Sequence, residues 1–168
     1  MPATEPTAEL LPSSVRHATP TSWGEARRRL AEGTWFWLAT VRPDGRPHVV
    51  PVLAVWLEGA LYFVANQATR KTRNLATNAH CVVAVATDDA HLVVEGQAAK
   101  VRDAAKLQRV ADAYASKYDW HVTVRDGAFW ADGAPTAGPP PFDVYEVTPT
   151  TVFGFGTDEA FSPTRWRF

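Results

Sequence analysis

Leu61-Tyr-Phe-Val-Ala-Asn-Gln-Ala-Thr-Arg-Lys-Thr-Arg-Asn-Leu75 joins two kinds of backbone. Its first five residues are apolar or aromatic and predict a strand. A polar break follows. Thr69 to Asn74 then read as the first turn of a helix, with Thr69 at the N-cap, where a hydroxyl satisfies a free amide. Arg70, Lys71 and Arg73 place three cations in that turn. The positive end of the helix dipole disfavours cations, and a bound anion removes the conflict. Free amides, a hydroxyl, a guanidinium and an ammonium at one helix start make a phosphate cradle. The ordinary alternative is a solvated basic helix end.

Working outward, the 168 residues suffice for one well-buried domain and are short for two. Apolar residues make up 46%, with seven Trp and eight Phe, so a substantial core is available. A net charge of -1 gives no global electrostatic case for nucleic acid or an acidic membrane. No run has the length of a membrane span, and the first residues lack a basic-then-apolar signal pattern. A cytoplasmic protein is therefore expected. Cys81 is the only cysteine and sits in an apolar run, so it reads as an inert core thiol. The five histidines are scattered, with no Cys/His set at zinc spacing, and no metal is expected.

Residues 1–20, rich in Pro, Thr, Ser and Ala, predict a flexible arm, and 21–168 a single domain. Ser22 to Gly33 reads as a short helix with Glu25 at the capping-box spacing. Trp35 to Val41 is a strand, and Asp44-Gly45 centres a tight turn. Pro47 to Leu57 reads as one long strand whose prolines imply an edge, a bulge or an opening where ladder bonds are missing. Leu61 to Ala65 is the next strand, and a helix runs from Thr69 to about Asn78. Cys81 to Thr87 and His91 to Val101 follow as strands, with Gly96 marking a bulge or a close approach of backbone. Asp103 caps a helix to about Tyr118, with Ala104, Leu107, Val110, Ala111 and Tyr114 as its core stripe.

His121 to Trp130 is irregular, and Asp132 to Pro141 is a loop, a lid or a rigid connector. Phe142 to Val147 and Thr151 to Gly156 read as a final hairpin. The tail Phe161 to Phe168 carries too many aromatics for a free end, so it docks on its own domain, a partner subunit or a bound ring. Six or more strands joined by tight turns, with helices inserted, give a mostly β, antiparallel barrel with added helices. The order is not βαβα and no GxGxxG follows a strand, which excludes a Rossmann domain.

Phe63-Val-Ala-Asn-Gln-Ala-Thr-Arg-Lys71 resembles the flavin-phosphate motif of the pyridoxamine 5′-phosphate oxidase-like superfamily. The hairpin Leu38 to His48 is similar to that superfamily too, as is the order of strand, Arg-Lys helix, Asn-rich helix end and Val-rich strand. The resemblance covers about residues 30–155. It implies an antiparallel split β-barrel that forms a homodimer, with cofactor at the subunit interface. By position, Thr69, Arg70 and Lys71 would hold the cofactor phosphate, with help from Asn74. Val64 and Ala65 would lie along the ring or ribityl chain. Val49, Val50, Pro51 and Val52 would line the ring through their backbone, and Arg165 and Trp166 would reach it from the partner subunit.

The apolar run Val49 to Ala54 replaces the basic pattern of the true oxidase, so synthesis of pyridoxal phosphate is not expected. Trp35 to Thr40, Thr150 to Gly156 and the ending Arg165-Trp-Arg-Phe168 look more like the flavin/deazaflavin oxidoreductase branch. That branch uses FMN or coenzyme F-420, and the apolar second strand favours F-420. The activity implied is hydride transfer between the bound ring and an unsaturated small-molecule substrate. The alternative is a non-catalytic flavin, deazaflavin or haem carrier. Tyr62, His48 and His121 are candidate acids or bases without a partner at a diagnostic spacing, so no catalytic residue is assigned. Trp130 and the Pro-rich loop are expected to cover the substrate side.

Overall fold

A computed structural model describes residues 5–14, 18–133, 138–157 and 161–168. Its elements are β1 (Thr7–Leu10), α1 (Trp23–Glu32), β2 (Phe36–Val41), β3 (Pro47–Val52), β4 (Ala54–Leu57), β5 (Ala60–Asn66), α2 (Arg70–Thr77), β6 (His80–Ala86), β7 (Ala90–Lys100), α3 (Ala104–Tyr118), β8 (Thr123–Arg125), β9 (Ala128–Trp130), β10 (Phe142–Gly156) and β11 (Thr164–Arg167). The strands run β1-β11-β10-β7-β6-β2-β3, and β5 joins β4 to β10 while β9 joins β8 to β10. All pairings are antiparallel. The fold is a split β-barrel with three added helices among the described residues. None of these helices is long and apolar enough to cross a membrane.

β10 makes the barrel possible. One side of it pairs with β5 in the first half and β11 in the second, while β7 runs along its other side from Tyr145 to Gly156. The expected hairpin at 148–150 is instead a register shift between Pro149 and Thr151 inside one 15-residue strand. Thr148-Pro149-Thr150 holds no residue suited to a positive φ, so the chain bulges rather than turns. Gly96 lies opposite, and a Cβ there would collide with the Thr148 carbonyl oxygen.

The long strand expected over 47–57 breaks at Leu53 into β3, paired with β2, and β4, paired with β5. Two tyrosines of α3 hold the break. Tyr114 Oη donates to the Leu53 carbonyl at 2.8 Å, and Tyr118 Oη donates to the Ala54 carbonyl at 2.7 Å. Of the expected stripe on α3, Leu107, Val110, Ala111 and Tyr114 are buried, whereas Ala104 in the first turn is exposed. β8 and β9 form a small hairpin in the stretch expected to be irregular.

Thr7–Leu10, inside the stretch expected to be a flexible arm, forms β1 on the outer edge of β11. The Glu9 carboxylate pairs with Arg165 at 2.5 Å and Arg167 at 3.8 Å, which fixes that register. The rest of the chain packs around two cores. One fills the barrel with Phe36, Leu38, Phe63, Leu92, Val152 and Trp166, and the other lies beneath α3.

α1 is tied to the β6–β7 turn by Arg29, which meets both Asp89 carboxylate oxygens at 2.9 and 2.5 Å and lies over the Phe161 ring. The hydrogen bond from Arg29 holds the Asp89 carboxyl down at about 2. Its folded pKa is depressed below the unfolded value of about 3.9. The stabilisation is therefore complete above that value and lost as pH falls towards 2. Asp89→Asn is expected to flatten this part of the acid limb when the unfolding midpoint is followed from pH 5 to 2. An unchanged slope would remove the pair from the account.

Candidate functional site

β5 ends at Asn66 and the chain turns straight into α2. Asn66 builds the turn: its Oδ1 accepts from the Ala68 amide at 2.8 Å, and its carbonyl accepts from the Thr69 and Thr72 hydroxyls at 2.9 Å each. Thr69 occupies the N-cap position with extended backbone but makes no side-chain cap bond. Its hydroxyl points back to Asn66 rather than forward to the helix amides, a correction to the expected cap. No acidic residue stands in the first turn. The helix start therefore presents amides without a side-chain acceptor, which is the requirement of an anion site.

Lys71 and Asn74 share one face of α2, three residues apart, and that face is turned inward. Lys71 is only 8% exposed and forms no ion pair among the described residues. Burial alone pulls its ammonium below the ordinary lysine range. Asn74 is fully buried; its Nδ2 donates to Thr40 Oγ1 at 2.9 Å, and its Oδ1 has no partner. Thr40 sits across from His48 in the β2–β3 ladder. The His48 ring shares the inward side of β3 with Val50 and Val52. Its Nδ1 is shut off from solvent without a partner. Burial first, then the charges of Arg42, Arg70 and Lys71, hold this imidazole below its ordinary pKa.

The site thus gathers Thr69, Arg70, Lys71, Asn74, Thr40, Arg42 and His48 at one end of the barrel. His48 was visible in the sequence only as an unpartnered candidate. Its place here follows from the Asp44-Gly45 turn, which sets Thr40 opposite His48.

The other expected contacts divide. β3 has no strand partner on its far side among the described residues, so the backbone of Val49, Val50, Pro51 and Val52 borders an open edge. Val49 and Pro51 face outward, and Val50 and Val52 face inward. β5 pairs with β10 along residues 61–66 and with β4 only along residues 60–63. Ala65 is fully buried in the barrel, and Val64 packs against the core beneath α3, so neither side chain is presented to a ligand at the helix start. Arg165 lies on the outer face beside Phe153 and is held by Glu9, with its Nε buried and unpartnered. Trp166 points the other way. It is fully buried, its Nε1 donates to the Thr21 carbonyl at 3.1 Å, and it packs on Trp23 and Phe161. It is a core residue of its own chain, because strand alternation sends it opposite to Arg165.

Trp130 is half-buried beneath the Arg125 guanidinium, 4.1 Å from the ring centroid, and borders a cavity of about 430 Å³ with His121, Thr123 and Asp132. His121 pairs with Asp119 at 2.9 Å. The loop expected to be a lid or connector runs through 134–137, outside the described residues. Its Pro139 carbonyl accepts from Asn66 Nδ2 at 2.5 Å, which ties the loop to the turn before α2. Tyr62 is buried, and burial with Glu146 pushes its phenol up.

The outer face of the sheet carries a row Pro51–Trp37–Ala84–Val93–Phe153 running across five strands and ending at Arg165 and Glu9. Trp37 is 55% and Val49 53% exposed.

A family model described as pyridoxamine 5′-phosphate oxidase matches residues 22–156. No curated protein matches the chain. Among solved structures, an F420 reductase is 25% identical with a TM-score of 0.53, covering 75% of this chain and 94% of that one. A FAD-binding protein from Mesorhizobium loti is 22% identical with a TM-score of 0.57, covering 88% of this chain and 96% of that one. A heme-binding protein from Mycobacterium smegmatis is 20% identical with a TM-score of 0.61, covering 82% of this chain and 55% of that one.

Proposed function

The chain belongs to the pyridoxamine 5′-phosphate oxidase family, and we propose that it is an oxidoreductase that uses coenzyme F-420 or FMN, with F-420 favoured. The observation that carries the reading is the largely buried Lys71 side chain, which has no carboxylate partner among the described residues, beside the open amides of α2. An ammonium without a counter-ion in such a place costs the apo fold free energy, and a phosphate oxygen removes that cost. Lys71, Arg70 and the first amides of α2 would hold the phosphate of either cofactor, and the open backbone edge of β3 would border its ring. When bound, such a ring supplies hydride transfer to or from an unsaturated substrate, and the protein binds, orients and excludes water. Trp130 and the Pro-rich loop are proposed to border the substrate. The apolar row on the outer sheet face is proposed to seat a second copy, bringing the partner's Arg165 towards the cofactor.

The F-420 preference is supported by the 25% identity to an F420 reductase and by the apolar β3. Titration of the purified protein with FMN and with F-420, followed by quenching of cofactor fluorescence, tests it. We expect saturable F-420 binding that is at least tenfold tighter than FMN binding, by a dimer on size-exclusion chromatography. Tighter FMN binding would reverse the cofactor choice, and a monomer at full saturation would refute the shared site. Tight binding with no reduction of any unsaturated substrate would favour the carrier. Binding of neither cofactor would end the proposal.

A further inference from the structure

The cradle contains one group that the phosphate reading does not use. His48 sits across from Thr40, which is bonded to Asn74, so a half-buried imidazole and a buried hydroxyl and amide line one corner beside Lys71. Two polar atoms in that corner, His48 Nδ1 and Asn74 Oδ1, have no partner. Asn74 is fully buried and Lys71 more than nine-tenths buried, so the corner is a built polar site and more than an open helix end. The charged groups that face His48 are Arg42 at the end of β2 and Arg70 and Lys71 on α2; all are cations. The nearby Asp44 is occupied by Arg46 at the tip of the hairpin, at 2.9 Å. A fourth positive charge is therefore disfavoured there while the corner is empty of anions. A bound dianion offsets most of that positive charge, and a protonated ring would then have an acceptor to donate to.

We propose that His48 is a proton-linked ligand of this site: it takes up a proton when a phosphate-type anion binds, and the site loses affinity as pH rises. The inference rests on the reading of α2 as the phosphate cradle and adds to it a regulator, proton concentration. The sign follows from linkage. Affinity is highest where His48 is already protonated in the free protein. It falls by up to about tenfold per pH unit between the free and the bound pKa, and levels off above the bound value.

The test uses sulfate, which stays a dianion from pH 5 to 8, whereas a phosphate monoester titrates near 6 and would blur the result. The His48 ring resonance of the wild-type protein, assigned through its bonds to the backbone, is followed against pH with and without saturating sulfate. We expect its midpoint to rise on saturation, and sulfate affinity to fall severalfold between pH 5.5 and 8. In His48→Gln the affinity is expected to be nearly independent of pH, and in Lys71→Met sulfate binding is expected to be lost. Sulfate binding that needs Lys71 but leaves the His48 titration unmoved would overturn the role of His48 and leave the cradle standing. Sulfate binding that ignores Lys71, or no binding at all, would overturn the cradle and the proton uptake with it. The ring titration is read on the wild-type chain, so a variant that fails to fold does not remove the test.

Discussion

Lys71→Met is expected to weaken cofactor binding by about 10- to 150-fold, the equivalent of the roughly 1.5–3 kcal/mol of one charged hydrogen bond. The same change should not lower the stability of the cofactor-free protein. Methionine keeps the length and apolar stem of lysine, and Lys71 has no carboxylate to lose. Removing an unpaired ammonium from a buried position removes a desolvation cost. The unfolding midpoint should therefore hold or rise, by about 2–4 °C for each kcal/mol recovered in a chain of this size. The two readouts move in opposite directions only if the site exists for an anion. A variant that unfolds early and binds as before would make Lys71 an ordinary core residue.

The second large effect is expected at Trp166. Trp166→Ala should cost about 3–5 kcal/mol, as large aromatic truncations in a packed core do. The ring has no exposed surface, touches Trp23 and Phe161, and packs so closely on Gly154 that a Cβ there would lie 2.8 Å from its Cη2. Its indole N–H also ties β11 to Thr21, so truncation leaves that carbonyl unpaired. The expected midpoint drop is about 6–20 °C by the same scaling. At a temperature where both proteins are folded, cofactor affinity should stay within about threefold, since no part of the indole is available to a ligand. A large loss of affinity with little loss of stability would restore the cofactor contact that the family resemblance implies.

Trp166 shows where sequence reasoning ends. The type and place of Arg165-Trp166 near the chain end suggest a cofactor contact, but which of two adjacent residues faces out depends on the register of β11. That register is held by β10 on one side and by β1 on the other, whose Glu9 pairs with Arg165 from 156 residues away. No local signal carries a pairing of that range. The same holds for β10, whose continuity through Thr148-Pro149-Thr150 rests on pairing with β7 along both halves. The break at Leu53 depends on two tyrosines more than sixty residues later in the chain.

Other features were legible because their causes are local. Ser22 caps α1 as its spacing with Glu25 predicts, its Oγ accepting from the Glu25 amide at 3.2 Å. Asp103 caps α3 in the same way at 2.7 Å. Pro47 and Pro51 do fall on an edge strand. The conflict between three cations and a helix dipole singles out the start of α2, where no side chain caps the first-turn amides. The sequence could not show that Thr69 turns away from its cap, because Asn66 competes for the hydroxyl. Nor could it show that His48 enters the same corner.

The measurement that tests the central claim most directly is a crystal structure of the protein with whichever cofactor it binds. The cofactor phosphate is expected at the start of α2, with an oxygen within about 2.7–3.2 Å of Lys71 Nζ and another on a first-turn amide. A phosphate held elsewhere, with Lys71 still unpaired, would contradict the account.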